Sequence, residues 1–206
     1  MIRAAALLLA LAATASPATA DPDLYRALSC AAPPGEECTR PALHWPRGKT
    51  LSVALTRIDD AFLGRPKLRA GAALSRAISA LNAANFGLTL IKTNSRADIE
   101  LILLDQKVGS EIPNTDPPAT LRKTTLLLAH DTGTGLLSKA RIYLSSDLPT
   151  AHFEAEILAA LTRAMGLDTR VTGRPETGVL TSISPPKTLS ETDREMLRTH
   201  YAAPHD

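Results

Sequence analysis

Aromatic side chains are scarce in this chain and make up 3% of its 206 residues. No basic run is interleaved with them, which argues against a nucleic-acid-binding surface. The 23 basic residues nearly balance the 21 acidic ones, so the composition indicates no polyanionic partner. Internal repeats are also absent, and the length of the chain suits one domain that can bury a sizeable core.

Cysteine is rarer still, with Cys30 and Cys38 the two examples. A metal site built on them would need further ligand residues nearby in the sequence, and there are none. In an oxidising compartment, a pair so close together predicts a local disulfide. The loop that it closes is too short for the bond to be the main source of stability. We therefore expect the disulfide to order a proline-rich, aperiodic N-terminal arm over residues 21–47.

Long apolar runs are limited to the N-terminus, where residues 1–20 have the pattern of a signal peptide. Arg3 precedes the apolar residues 4–13, and a small-x-small cleavage signal ends at Ala20. A membrane anchor is the alternative, but the run is too short to span a hydrocarbon layer of about 30 Å. The sequence thus predicts cleavage after Ala20, a periplasmic or secreted protein, and no membrane span once the signal is removed.

Downstream, the patterns of apolar residues predict an α+β fold over residues 48–206. Strand patterns occur over residues 51–58, 88–92, 97–104, 124–129 and 139–144. Helical spacing occurs over residues 67–85 and again near the C-terminus, where Ser190 can cap the last helix. The simplest packing of this order is one mixed, mostly parallel sheet of about five strands, with a helix packed on it and a C-terminal helix below its edge.

The stretch that precedes Gly166 has a strong helical pattern. Phe153, Ile157 and Leu161 recur at four-residue spacing and predict one buried stripe. Thr150 can cap the start of this helix, and Gly166 can end it in a left-handed conformation. The helix is therefore expected to pack on the sheet with one face and to leave another face for function.

That second face consists of His152, Glu156, Ala159 and Arg163, which follow one another at helical spacing. His152 and Glu156 lie one turn apart, a spacing that occurs in metal sites, but two ligands make only half a site. The histidines that could complete it are His130, His200 and His205. The alternative is that His152 merely occupies the first turn and that Glu156 pairs with a nearby basic residue.

Arg163 also has two interpretations. A guanidinium can bind a carboxylate through two parallel hydrogen bonds, so Arg163 could hold the end of a peptide or an acidic side chain. It could instead form an ion pair with a carboxylate of this chain and help the C-terminal helix to dock. The candidate partners for such a pair are Glu156, Asp168 and Asp193.

Residues 159–201 resemble zinc-dependent endopeptidases of the metzincin group, and among them the matrixins, whose pattern is H-E-x-x-H-x-x-G-x-x-H followed by a Met-turn. Gly166 stands at the helix-breaking glycine, and Leu167 and Asp168 follow it as in many matrixins. The turn over residues 182–184 stands in place of the Met-turn. By this alignment the two helical ligand positions, the base position and the third ligand position hold Ala159, Arg163, Ala160 and Thr169 in that order.

The same region is more similar to a family of secreted bacterial proteins called domain of unknown function 2927. Its pattern has a Gln-x-Leu-Gly-Leu segment, a Ser-Ile-x turn and a Leu-x-x-x-Asp helix. The counterparts here lie over residues 163–167, 182–184 and 189–193. This chain departs from the pattern at Arg163, which replaces Gln, and at Ala159 and Ala160, where acidic residues are common. The resemblance implies a zincin-like fold with a degenerate active-site helix, and upstream it rests on element order alone.

The chemistry of this degenerate motif excludes the family's hydrolysis. An alanine side chain has no lone pair for a metal, and Arg163 is a permanent cation that would repel zinc. The methyl group of Ala160 cannot take a proton from water. We therefore predict no catalytic residue, no metal and no cofactor, with His152, Glu156 and Arg163 as candidate binding residues.

The resulting hypothesis is a non-catalytic module that holds a peptide or an envelope protein. In zincins the substrate lies along an edge strand, which the resemblance places near residues 124–129. One alternative is a metallohydrolase whose site has moved to His152 and Glu156. A second alternative is a structural envelope protein without a pocket.

Overall fold

A five-stranded sheet forms the centre of the structure, a computed structural model that describes residues 21–171 and 178–202. The strands are β1 (Thr50–Ile58), β2 (Thr89–Thr93), β3 (Ile99–Leu104), β4 (Thr124–His130) and β5 (Leu137–Ser145). Their order is β2-β1-β3-β5-β4, with β4 antiparallel to β5 and the other neighbours parallel. The predicted α+β fold with a mostly parallel sheet is confirmed, and the predicted signal peptide lies outside the described residues.

The middle strand, β3, is buried on both faces. Ile99, Leu101 and Leu103 have no exposed surface and belong to the main core cluster. Ile102 and Leu104 belong to a smaller apolar cluster. A strand that is covered on both faces needs a nearly continuous apolar sequence. That run is the pattern from which the sequence predicted this strand.

Within residues 21–171 and 178–202, four α-helices accompany the sheet: α1 (Pro22–Cys30), α2 (Arg65–Ala84), α3 (Phe153–Arg163) and α4 (Glu191–Ala202). α2 packs against α3 and β2. It begins at Arg65 rather than at residue 67, because Pro66 fits the first turn of a helix, where its missing N–H is not needed. In the part of the chain that the structure describes, no helix has the length and apolar composition to cross a membrane.

The N-terminal arm is not aperiodic as predicted, since it contains the helix α1. Asp21 caps this helix by accepting hydrogen bonds from two backbone N–H groups, at 2.9 and 3.2 Å. Leu24 and Leu28 are buried in the main core, so a short amphipathic helix is present inside the proline-rich segment. The predicted disulfide is confirmed and joins Cys30, the last residue of α1, to Cys38.

The start of α3 also differs from the prediction. Thr150–His152 form a short 3-10 helix, closed by the hydrogen bond from His152 N to Pro149 O, and α3 begins only at Phe153. Thr150 therefore does not cap α3, and its hydroxyl instead accepts a hydrogen bond from Arg69 Nη1 at 3.0 Å.

Gly166 has a φ of 105°, as predicted for the residue that turns the chain after α3. A Cβ atom at this position would lie 1.8 Å from the carbonyl oxygen of Leu43. The arm therefore passes so close to this turn that only glycine fits.

The arm, the turn after α3 and α4 are joined by buried hydrogen bonds. Trp45 is fully buried, and its Nε1 donates to Ala164 O at 2.8 Å. Tyr201 OH donates to Met165 O at 2.7 Å, and His200 Nε2 donates to Leu43 O at 2.8 Å. These bonds fix the C-terminal end of α3 against the arm and α4.

The cap of α4 follows the prediction. Ser190 Oγ accepts a hydrogen bond from Asp193 N at 3.1 Å, and the buried Asp193 carboxylate accepts from Ser190 N and Oγ, each at 2.8 Å. The same carboxylate accepts from Val179 N and Leu180 N, at 3.0 and 3.2 Å. Asp193 therefore anchors the segment that leads to α4 as well as the helix itself.

Candidate functional site

A groove of about 890 Å³ lies between β4 and α3. One wall is formed by residues 124–128 and His130 of β4, and the other by residues that precede α3 or belong to it. The turn over residues 182–184, which the resemblance to matrixins aligns with the Met-turn, contributes Ile183 and Ser184 to the lining. The groove is thus the concavity that the edge strand and the helix create together.

β4 is the last strand of the sheet, and no other described strand pairs with its far side. Ser145 N donates to Lys123 O at 3.1 Å, which fixes the alternation of backbone groups along the antiparallel pair. By that alternation, the backbone N–H and C=O groups of Thr124, Leu126 and Leu128 point away from β5. These groups form an unpaired edge of the kind that accepts an additional strand.

Basic side chains outnumber acidic ones in the lining of the groove by five to two. The basic residues are Arg40, Arg122, Lys123, Arg163 and Arg170, and the acidic ones are Glu156 and Asp168. Over the whole chain the numbers are nearly equal, at 23 and 21, so the excess of positive charge is local. Asp168 is already paired, because Arg40 Nη2 lies 3.0 Å from its Oδ1.

Arg163 is the half-buried cation of this set. Its Nε donates a long hydrogen bond of 3.4 Å to Ala159 O, one turn back in α3. Its Nη2 is buried and has no hydrogen-bond partner among the described residues. Burial lowers the pKa of the guanidinium to about 10, helped by the charge of Arg170 and opposed by those of Glu156 and Asp168.

The structure does not support the predicted internal ion pair of Arg163. Asp168 pairs with Arg40, and Asp193 is occupied by the cap of α4. Glu156 lines the same groove, yet no ion pair joins it to Arg163 within the described residues. A long-range contact of the arm has therefore taken the carboxylate that is nearest to Arg163 in sequence.

The other positions that the resemblance to matrixins assigns to a zinc motif do not line the groove. Ala159 and Ala160 are buried, at 2% and 0% exposure. Thr169 N donates to Leu28 O, and Thr169 Oγ1 lies 3.4 Å from Arg40 Nη2, so this residue is tied to the arm. Two methyl groups, a guanidinium and a hydroxyl that accepts from an arginine do not fit a zinc ion.

The structure brings His130, His152 and Glu156 to the lining of the same groove. Even so, the described residues contain no group of three or more His, Cys, Asp or Glu side chains that could hold a metal ion. His200 is fully buried and bonded to Leu43 O, so it cannot join them, and His205 lies outside the described residues.

Sequence reasoning missed several groove residues. Arg122 and Lys123 directly precede β4, and Arg170 directly follows Thr169, so their positions next to the predicted elements were a usable signal. Ile183 and Val108 are exposed, at 74% and 47%, and also lie in the lining. Nothing local in the sequence indicates that these two apolar side chains share one groove.

Comparison with known proteins does not supply a family. No family model matches the chain, and no curated protein matches it, so the resemblance to the uncharacterised secreted family stays a prediction. The chain is similar to a solved structure of myroilysin at 12% sequence identity and a TM-score of 0.41. That similarity covers 78% of this chain and 96% of the other. At these values the match assigns to this chain neither the fold nor the activity of that protein.

Proposed function

We propose that this protein is a non-catalytic, exported module that binds an extended peptide segment of a partner in the groove beside β4. The observation that carries the proposal is the position of the unpaired edge of β4, which forms one wall of a groove of about 890 Å³. A peptide laid against this edge would form backbone hydrogen bonds as an additional strand.

The walls of the groove suit the side chains of such a strand. Leu126 and Leu128 are partly buried and pack against the main core, so their side of β4 is apolar. Ile183 and Val108 expose large apolar side chains to the groove. Alternate side chains of an added strand point to opposite faces, so one set can bury apolar surface here while the other set stays in water.

The proposed scaffold is zincin-like, and its support is the order of elements after β5. A helix ends near a glycine of positive φ, a turn lines the groove, and a capped C-terminal helix packs behind it. The non-catalytic assignment is based on the side chains: Ala159, Ala160, Arg163 and Thr169 cannot together bind zinc and activate water. The disulfide between Cys30 and Cys38 is consistent with an oxidising compartment outside the cytoplasm.

One observation favours a rival function, a metal-dependent hydrolase with a relocated site. His130, His152 and Glu156, which carry the side-chain types that bind zinc, line the groove together. Replacing His152 and Glu156 by Ala separates the two proposals. A loss of bound metal or of activity without loss of folding favours the hydrolase, whereas peptide binding by the original protein when it contains no metal favours the module.

The proposal is tested first by zinc analysis and peptidase assays on the purified exported protein. Stoichiometric zinc together with peptide turnover would contradict it. The second test is calorimetric titration with blocked nonapeptides of alternating Val and Ser, which can form a strand but carry no charge. Saturable binding is the expected result, and a complete failure of these peptides to bind would count against the groove as a peptide site.

Two substitutions at one position test whether binding uses the strand edge. Leu128→Pro removes an N–H that points away from β5, so it should leave the ladder with β5 intact. Leu128→Ala removes the same side chain but keeps the N–H. We expect the proline variant to bind the peptides at least about tenfold more weakly than the alanine variant, as for the loss of a hydrogen bond in the complex. Equal affinities would contradict strand addition.

A further inference from the structure

We infer that the groove selects acidic segments, with an Asp or Glu side chain inside the bound peptide placed on the guanidinium of Arg163. This inference rests on the proposed function and adds the chemistry of the partner to it. The partner is therefore a protein with an extended, acidic stretch, rather than any peptide able to form a strand.

The first argument is the state of Arg163. Its side chain lines the groove, is half-buried, and has an enclosed Nη2 without a hydrogen-bond partner among the described residues. Its one hydrogen bond in this part of the chain is the long contact to Ala159 O. A desolvated cation that lacks a counter-charge is costly, and a carboxylate supplies both the charge and the acceptor atoms.

The carboxylates of the chain do not meet this need in the described structure. Asp168 is engaged by Arg40 at 3.0 Å, and Glu156 makes no ion pair with Arg163. Burial and the charge of Arg170 lower the pKa of Arg163, and the charges of Glu156 and Asp168 offset this only in part. An external carboxylate bound to Arg163 would stabilise the charged form of its guanidinium.

The second argument is the distribution of charge along the groove. Arg122 and Lys123 directly precede β4, whereas Arg163 is the last residue of α3 and Arg170 lies in the segment after it. All four are outside the ion pairs found among the described residues, in contrast to Arg40. A peptide strand running along β4 can place acidic side chains near both groups.

This distribution favours an internal acidic side chain over a terminal carboxylate. A chain end carries one carboxylate and would satisfy one of the two basic groups. The lining continues along β4 from Thr124 to Leu128 and includes His130 beyond, so the wall runs along the strand rather than closing on a single point. Glu156 adds one negative charge on the opposite wall, but the two basic side chains Arg163 and Arg170 outnumber it there, so that end of the groove still favours an acidic side chain.

The test uses two matched sets of blocked nonapeptides of alternating Val and Ser. In the first set a single Glu occupies each position in turn, and in the second set Gln replaces it. Affinities are measured by calorimetry at two salt concentrations for the original protein and for Arg163→Gln. Arg163→Lys keeps the charge but not the two-pronged geometry, and Arg96→Gln removes one exposed positive charge outside the groove.

We expect the Glu peptides to bind at least about tenfold more tightly than the Gln peptides at one or two registers, the range for a charged hydrogen bond. Arg163→Gln should abolish this preference while keeping the affinity for the Gln set. Arg163→Lys should restore part of it, and Arg96→Gln should retain it in full.

Each other outcome has a defined meaning. Equal binding of the Glu and Gln sets overturns the inference and leaves the proposed function standing, because neutral peptides still bind. A Glu preference that survives in both Arg163 variants also overturns it, since the charge is then recognised elsewhere. Absence of binding by both sets overturns the proposed function and this inference with it. Circular dichroism on each variant identifies any change that comes from misfolding.

Discussion

The two sides of the C-terminal end of α3 differ in how completely their polar groups are paired. On the side of the arm and α4, Trp45 Nε1 donates to Ala164 O and Tyr201 OH donates to Met165 O, at 2.8 and 2.7 Å. On the groove side, Nη2 of Arg163 is enclosed without a partner among the described residues. The backbone carbonyls that follow α3 therefore have donors from the arm and α4, whereas the guanidinium at the end of α3 lacks an acceptor among the described residues.

We interpret the side of α3 that faces the arm and α4 as structural, and the side that faces the groove as functional. Buried polar groups in proteins are nearly always hydrogen-bonded, so an exception calls for an explanation. A site built for a ligand is often incomplete without it, at some cost in stability. The paired face, where Ala164 O and Met165 O have donors, thus fixes the end of α3. The unpaired face, where Arg163 Nη2 has no partner among the described residues, is where we place the ligand.

The largest effect on stability should come from Gly166→Ala, which disrupts the side of α3 that packs against the arm and α4. The added Cβ would lie 1.8 Å from Leu43 O and 2.7 Å from His200 Nε2, at a φ of 105°. Because the backbone at Leu43 or at position 166 would have to move, we expect a loss of more than about 4 kcal/mol in the free energy of unfolding, or no soluble protein. Urea denaturation followed by circular dichroism measures it.

Gly109→Ala is the matched control for this substitution. Gly109 has a similar φ of 94°, but a Cβ there would meet nothing within 4 Å. It should therefore cost only the backbone strain of about 1–2 kcal/mol. Equal losses for the two variants would show that the approach of the arm to Gly166 is not what makes that position special.

A smaller effect concerns Asp98, which belongs to neither face. Burial alone would raise its pKa, but hydrogen bonds from Lys49 and Ser52 outweigh burial and lower the pKa to about 2. Because the folded state depresses this pKa from 3.8, the stabilisation is complete above pH 4 and is lost as the pH falls towards 2. We expect a loss of about 2 kcal/mol across that window.

Asp98→Asn provides the comparison for the pH effect. The variant should be less stable than the original protein at neutral pH, and the gap between the two should close as the pH falls from 4 to 2. Denaturation curves at several pH values measure this gap. A gap that stays constant over this window would contradict the assignment to Asp98.

Tyr201→Phe tests the paired face by removing one hydroxyl. It would leave Met165 O and Trp45 N without the partner that each has at 2.7 and 3.3 Å. We expect a loss of about 1–2 kcal/mol, the usual cost of an unsatisfied buried group. The midpoint of urea denaturation reports it, and peptide binding in the groove should be unchanged.

Arg163→Met tests the unpaired face and should have the smallest effect on stability, with the opposite sign. Removing a half-buried cation that lacks a counter-charge relieves a desolvation cost, so the variant should be unchanged or more stable by up to about 1 kcal/mol. A clear loss of stability would show that Arg163 serves the fold, and the contrast between the two faces would then fail.

The sequence predicted the sheet because its signals are local. The strands of this chain follow alternating or continuous apolar patterns. The edge position of β4 was not a local signal, because the resemblance to zincins implied it. Gly166 and the cap at Ser190 were also readable, since each depends on one residue and its neighbours. The helix α1 was missed because prolines on both sides of it obscured a short amphipathic pattern.

The site could be predicted only in part, because its electrostatics depend on distant residues. Arg163 was expected either to bind a carboxylate or to pair with one of this chain. An ion pair within the chain would have used Asp168. That carboxylate is instead bound by Arg40, which lies 128 residues before Asp168 in sequence. No spacing rule relates Arg40 or Arg122 to α3, so the excess of basic side chains in the groove appeared only in the folded structure.

The most direct test of the peptide site is amide hydrogen exchange in β4 with and without the tightest-binding nonapeptide. The account predicts new protection at Thr124, Leu126 and Leu128, whose N–H groups point away from β5. Thr125 and Leu127 should be unchanged, since their N–H groups already face β5. Unaltered exchange along β4, or protection confined to β2 at the other edge of the sheet, would contradict the proposal.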